Sequence, residues 1–322
     1  MNKADRRPLG RSGIDIAPLV FGGNVFGWTV DEPTSFALLD RFLDAGLDAI
    51  DTADVYSAWA PGNQGGESET IIGNWLAADA SRRDRCVIIT KAGAALKEKG
   101  GGLTAANIVA SVEASLRRLR TDRIDVYFSH FPDPVTPIEE TLRAHDSLVR
   151  QGKVRAIGAS NYDAGQLRAA LSASAQAGLS RYEVIQPEYN LYARDSYEGP
   201  LRDLAITEGL GVITYYSLAS GFLTGKYRSK DDLGKSARGA RVGNYLNPRG
   251  LRILEALDET ARAHDARPGE VAIAWLIARQ GVSAPIASAT SIEQLESLIR
   301  ATRLMLTSSD MARLETASDP QA

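Results

Sequence analysis

Cysteine is nearly absent from this chain, with one residue, Cys86, among 322. A lone thiol closes no internal disulfide, and its place in an apolar run marks a core side chain in a reducing compartment. Histidine is scarce too: His130, His145 and His264 show no paired spacing, so no metal site is expected. No stretch of 18 apolar residues occurs, which excludes a membrane-spanning helix. The polar segment Met1 to Pro8 lacks the apolar centre of a secretory signal, so the cytoplasm is the expected location. Neither charge sign dominates, with 37 Lys and Arg against 40 Asp and Glu. Nucleic acid and anionic membranes are therefore not expected partners. Three familiar motifs are also missing. No G-x-G-x-x-G follows a strand. Gly221-Phe-Leu-Thr-Gly225-Lys226 has the wrong spacing for a phosphate loop. Gly158-Ala-Ser160-Asn-Tyr162 places Tyr where a nucleophile elbow needs Gly.

What is present is alternation. Apolar residues make up 44% of the chain, enough for a sizeable core. After a Gly-turned hairpin over Pro8 to Ala17, strand-like runs fall at 19–21, 47–50, 86–90, 124–129, 154–157, 183–186, 212–215 and 285–287. Helical periodicity follows each. In the segment 104–119, Ile108, Val112, Ser115, Leu116 and Leu119 share one face. Repeated strand-helix units predict a parallel sheet, and eight of them predict a closed α/β barrel: a (β/α)8 TIM barrel with an N-terminal β-hairpin and extra C-terminal helices. No linker interrupts the chain, so one domain over residues 1–322 is expected. The polar, Gly-rich stretch 221–250 is long for a loop and reads as a lid over a ligand.

Four residues stand at or just beyond the C-terminal ends of these strands: Asp51, Tyr56, Lys91 and His130. The steps from Asp51 to Lys91 and from Lys91 to His130 are 40 and 39 positions, one strand-helix unit each. A parallel barrel would bring all four to the rim where such folds carry their chemistry. Reducing a carbonyl needs a hydride at carbon and a proton at oxygen. Tyr56 can give the proton, and a neighbouring Lys91 ammonium is expected to lower its pKa. Asp51 would keep Lys91 charged, and His130 would orient the carbonyl. Each residue alone has an ordinary structural alternative, as a turn former, rim aromatic, solvated lysine or satisfied histidine. Their common phase favours the joint reading. A Schiff-base lysine at Lys91 is the enzymatic rival, and Asp51 argues against it by holding the ammonium protonated.

Asp51-Thr-Ala-Asp-Val-Tyr56, Lys91 after Val87-Ile-Ile-Thr, and Ser129-His130 after Asp125-Val-Tyr-Phe occur in this order. Ile157-Gly-Ala-Ser160-Asn161, Gln186-Pro-Glu-Tyr-Asn190 and Tyr215 through Lys226 follow. Together they make the chain resemble the aldo-keto reductases from Leu9 to about Ala301. The resemblance implies a nicotinamide cofactor, NADP(H) ahead of NAD(H), and a small-molecule carbonyl or alcohol substrate. It implies that Gly22, Gly23 and Asn24 lie beneath the nicotinamide ring and that Asp51 also binds the cofactor. Ser160, Asn161 and Gln186 match the residues that hold its carboxamide, and Tyr215 the one that stacks on it. Ser217, Leu218, Gly221 and Lys226 match the pyrophosphate segment, and Ser288, Thr290 and Gln294 the adenosine end. Thr290, Ser217 and the Ser297-Leu298 pair depart from common family residues, leaving Arg238 or Arg241 as candidates to supply charge. Trp28, Trp59, Phe131 and Tyr162 are the expected substrate walls. Some family members are regulatory subunits of membrane channels, which supplies a second, slow-turnover reading.

Overall fold

Alternation along each strand sends every second side chain into the barrel, and that parity places the site. The computed structural model describes residues 6–95, 101–236 and 239–320. The chain opens with a hairpin, β1 (Arg7–Pro8) and β2 (Asp15–Ile16). The barrel strands follow: β3 (Val20–Gly22), β4 (Ala49–Asp51), β5 (Val87–Ala92), β6 (Ile124–Ser129), β7 (Val154–Ser160), β8 (Tyr182–Gln186), β9 (Gly211–Thr214) and β10 (Ala284–Ala287). All eight pair in parallel in chain order, and β10 closes on β3.

The helices between them are α1 (Glu32–Asp44), α2 (Glu67–Ala78), α3 (Ser81–Arg85), α4 (Ala105–Leu119), α5 (Ile138–Arg150), α6 (Ala164–Ala177) and α7 (Pro200–Glu208). Beyond β9 come α8 (Gly239–Val242), α9 (Pro248–Ala263) and α10 (Pro268–Ala278). Beyond β10, α11 (Ile292–Ala301) and α12 (Ser308–Ala317) complete the chain. Local chemistry sets their starts. Thr104, Asp163 and Ser291 each cap a first turn by accepting a backbone N–H. The buried face of α4 is Ile108, Val112, Ser115, Leu116 and Leu119, as its periodicity predicts.

Two apolar clusters result. The inner one joins Val20, Ala49, Val87, Ile89, Val126, Phe128, Ala156, Val184, Ile213 and Ile286. Leu9, Ile14 and Ile16 from the hairpin belong to it, so the hairpin plugs the barrel floor. The outer cluster lies between sheet and helices and includes Ile50, Ile88, Tyr127 and Trp75. Extending the inward parity of Ala49, Ile89, Phe128, Val184 and Ile213 by one step gives Asp51, Lys91, His130, Gln186 and Tyr215 at the rim.

The strand expected over 154–157 continues to Ser160. Gly158 does not end it: a side chain there would lie 2.5 Å from the Phe128 ring, so glycine makes room inside the barrel. The stretch expected as one polar loop is broken into 3-10 turns at Ala219–Thr224, Lys230–Lys235 and Gly243–Tyr245, with α8 among them.

Candidate active site

Asp51 ends β4 and Lys91 sits near the end of β5, both fully buried. The Lys91 Nζ donates to Asp51 Oδ2 at 2.7 Å, to the Thr52 carbonyl at 2.8 Å and to Tyr56 Oη at 2.9 Å. An ammonium has three donors and no acceptor, so every one is used. Asp51 is equally occupied. Its Oδ2 also accepts the Tyr56 hydroxyl at 3.2 Å, and its Oδ1 accepts from Gln186 Nε2 at 3.0 Å. Tyr56 itself is held by a turn in which its N–H donates to the Ala53 carbonyl. Burial pulls the Lys91 ammonium below its usual range, and Asp51 acts against that pull.

The phenol does not behave as the ammonium alone predicts. Burial pushes the Tyr56 pKa well above the ordinary tyrosine value, and the Asp51 carboxylate adds to the rise. The physical reason is first the cost of burying a phenolate, and second the Asp51 carboxylate, which also offsets the charge of the Lys91 it binds. The resting phenol is thus a firmly protonated donor.

His130 follows β6, and its N–H donates to the Ala92 carbonyl at 2.8 Å. Its ring lies edge-on to Tyr56, with centroids 6.2 Å apart, and stacks on Phe131 at 4.8 Å. Burial and then the Lys91 charge push its pKa down to about 3, so the imidazole is neutral. Nδ1 is buried without a hydrogen-bond partner.

Hydrogen bonds join several of the other residues named from the sequence at the strand ends. Asn161 Nδ2 donates to the His130 carbonyl and to Ser160 Oγ, while its Oδ1 accepts from Tyr215 Oη at 2.6 Å. Ser160 Oγ donates to the Gln186 carbonyl. Asn161 takes a left-handed φ of 63°, which Asn tolerates better than most residues. Gly22 pairs with Asp51 across β3 and β4. A Cβ on Gly22 would lie 2.6 Å from Ser288 Oγ, and that hydroxyl donates to Asn24 Oδ1 at 2.7 Å. Gly23 packs over the Asp51 carbonyl.

After β9, Tyr216, Ala219, Ser220 and Gly221 all have positive φ. Left-handed residues at this density curl the backbone into a tight turn, a conformation that can aim N–H groups at an anion. Ser217 Oγ donates to the Thr214 carbonyl, and the Leu218 carbonyl accepts from Gly221 N–H. Lys226 is exposed and lies over the Tyr227 ring at 5.1 Å. At the start of α11 the Gln294 side chain accepts from the Thr290 N–H and hydroxyl. Arg241 donates to Tyr216 Oη at 3.0 Å. Arg238 lies outside the described residues.

The amide groups of Asn161 and Gln186, the Tyr215 ring and the turn at 216–221 have the chemistry to fit the parts of a nicotinamide dinucleotide. Trp28 and Trp59 meet edge-to-face at 5.7 Å, and Trp59 contacts Tyr56 at 6.0 Å. Trp59 and Phe131 are about half exposed, at 48% and 46%. Tyr162, expected as a fourth wall, is instead buried in the outer cluster with its ring on Tyr182. Its residue type gave no sign of which side of the strand end it would take.

Sequence reasoning passed over Thr52, whose contribution is a backbone carbonyl and leaves no trace in residue type. It also passed over Asp54, Glu69 and Arg118, which gather behind β5. Asp54 was visible inside the Asp51–Tyr56 run.

The aldo/keto reductase family model matches residues 18–319. An uncharacterised oxidoreductase of Bacillus subtilis (strain 168), YrpG, is 34% identical over 92% of this chain and 91% of its own. The aldo-keto reductase YhdN of the same organism is 33% identical over 95% and 89%. A probable voltage-gated potassium channel subunit beta of Oryza sativa subsp. japonica is 35% identical over 89% and 88%. With the closed parallel barrel, these matches show that the chain belongs to the aldo/keto reductase family.

Proposed function

We propose that this oxidoreductase is NADP(H)-dependent and reduces an aldehyde or ketone to an alcohol, or runs the reverse, with Tyr56 as general acid and base. The carrying observation is the Lys91 ammonium, which donates at once to Asp51 and to the Tyr56 hydroxyl. Tyr56 begins protonated and turns its hydrogen from Asp51 Oδ2 to the carbonyl oxygen. Lys91 then faces the phenolate that remains and stabilises it. The neutral His130 ring donates to the same carbonyl oxygen and fixes its direction. In alcohol oxidation the Tyr56 phenolate accepts the proton instead. A bound nicotinamide supplies or receives the hydride at carbon.

Ser160, Asn161, Gln186 and Tyr215 are the residues proposed to hold the nicotinamide. The turn 216–221 with Lys226 takes the pyrophosphate, and Ser288, Thr290 and Gln294 take the adenosine end. Trp28, Trp59 and Phe131 form the substrate wall. The chain acts as one domain in the cytoplasm on a small molecule. Among the described residues no helix is long and apolar enough to cross a membrane.

The test is loss of reduced-nicotinamide absorbance with NADPH and with NADH, offered aldehydes, diketones and keto-sugars. Turnover that needs both enzyme and carbonyl is the expected result. A second reading, a cofactor-holding regulatory subunit, draws on the relative named as a channel subunit. Cofactor retained through purification with no turnover on the whole panel would favour it.

A further inference from the structure

We propose that Asp54 is a positioning residue that sets the proton affinity of the Lys91–Tyr56 pair from behind β5. The inference rests on the reading of Tyr56 as the proton donor and acceptor. Asp54 lies in the short turn that links Asp51 to Tyr56. Its N–H donates to the Lys91 carbonyl at 3.1 Å, while Lys91 Nζ donates to the Thr52 carbonyl at 2.8 Å. The segment thus grips Lys91 at both its backbone and its side chain, and Asp54 sits in that grip.

Its carboxyl belongs to a second cluster. Glu69 from α2 is fully buried; it accepts from Thr90 Oγ1 on β5 at 2.6 Å and from Arg118 Nε on α4 at 2.7 Å. Thr90 is the residue before Lys91. The charged and titratable groups that act on Asp54 are Glu69, Arg118 and Lys91, while Tyr127 on β6 feels Asp54 in turn. Asp54 Oδ1 and Tyr127 Oη are both buried without a hydrogen-bond partner. Glu69 and Arg118 already pair, so an ionised Asp54 leaves a net negative charge in this pocket. Burial first, then repulsion from Glu69, pushes the Asp54 pKa up to about 7. The carboxyl therefore changes charge near neutrality, and that charge acts on Lys91.

The sign of the effect is fixed. A negative charge favours the ammonium over the amine and disfavours the phenolate. Ionised Asp54 raises the proton affinity of both partners, so whichever of them limits the rate at high pH, the limit moves upward. Neutral Asp54 moves it down.

The test is the pH profile of turnover, measured for reduction and for oxidation in the wild type, Asp54→Asn and Asp54→Glu. Asp54→Asn is expected to move the alkaline limb to lower pH by roughly half a unit or more. Asp54→Glu is expected to restore most of that shift, which a merely structural role would not do. An unmoved alkaline limb in a folded Asp54→Asn protein overturns the proposal. If Asp54→Asn does not fold, Asp54→Ser carries the same two outcomes. Tyr56→Phe in the same assay separates the layers. Full turnover there sinks the acid-base reading itself, whereas lost turnover with an unmoved Asp54→Asn limb sinks only the role of Asp54.

Discussion

Thr90 and Lys91 are consecutive on β5, yet they enter clusters built on opposite terms. Inside the barrel, Lys91 joins Asp51, Gln186 and Tyr56, and Tyr56 is only half-buried at the rim. Outside, Thr90 joins Glu69 and Arg118 beneath α2 and α4, where Glu69 is shut away from solvent. The inner cluster ends in a hydroxyl within reach of a small molecule. The outer one ties its carboxylate to two donors and offers it to nothing else. The same strand thus holds a lysine bonded to the proposed proton donor and a threonine bonded into a cluster that ties three elements together. One step of strand parity separates them.

The largest effect that would break this comparison is loss of the inner hydroxyl. Tyr56→Phe keeps the ring against Trp59 and His130 and removes only the oxygen. Turnover is expected to fall by about 10²–10⁴, with cofactor affinity by fluorescence titration changed little. Turnover close to wild type would move the acid to another residue and leave the inner cluster structural.

Next in size is Arg118→Met, which leaves Glu69 buried without its cation. Breaking one half of a buried pair costs about 3–5 kcal/mol. Urea unfolding should register that loss, while the rate per folded molecule should fall far less than in Tyr56→Phe. An unchanged unfolding midpoint would mean that the outer cluster contributes nothing to stability. A rate loss equal to that of Tyr56→Phe would mean that the two faces of β5 do one job.

A smaller effect sharpens the contrast through pH. His145 is fully buried on α5, where its Nε2 lies 3.1 Å from Ser129 Oγ; burial pushes its pKa down to about 4. The unfolded chain takes up that proton near the ordinary histidine value of 6.5 and the folded chain does not. Stability is therefore lost as pH falls through this window, by about 2 kcal/mol between about pH 7 and pH 5. Asp54 runs the other way. Its folded pKa of about 7 lies above the ordinary aspartate value of 3.8, so its contribution is lost as pH rises between them. His145→Gln should flatten the acid slope of unfolding free energy, and Asp54→Asn should flatten the opposing one. Slopes that both variants leave intact would assign the titrations to other groups.

Much of this arrangement was legible in the sequence, and the illegible part has a physical pattern. Helices with a clean apolar period emerge where expected, including α11 at Ile292–Ala301 and α12 at Ser308–Ala317. Asp51, Lys91 and His130 stood out because their side chains sit at strand ends in phase. Thr52 did not, since a backbone carbonyl is the same in every residue. Tyr162 misled because an aromatic after a strand end suits the rim and the outer core equally. Asp54, Glu69 and Arg118 come from three separate elements, and only packing of α2 against α4 shows that they share a pocket. The stretch 221–250 read as a loop because short 3-10 turns carry no period that composition reveals.

The finest prediction concerns the edge of the inner cluster, where chemistry gives way to recognition. Trp59 is half exposed, touches Tyr56 and Trp28 edge-on, and belongs to no hydrogen-bonded network described above. Aromatic pairs of this kind contribute about 0.5–1.5 kcal/mol beyond their buried area. Trp59→Ala therefore removes a contact that an apolar or sugar-faced substrate would make in the ground state and transition state alike. Such uniform binding appears in KM and not in kcat. KM for aromatic aldehydes should rise by about three- to tenfold with kcat nearly constant, and the urea midpoint should barely move. A fall in kcat instead would show that Trp59 positions Tyr56. The boundary between the proton-transferring group and its surroundings would then lie one ring farther out than the hydrogen bonds draw it.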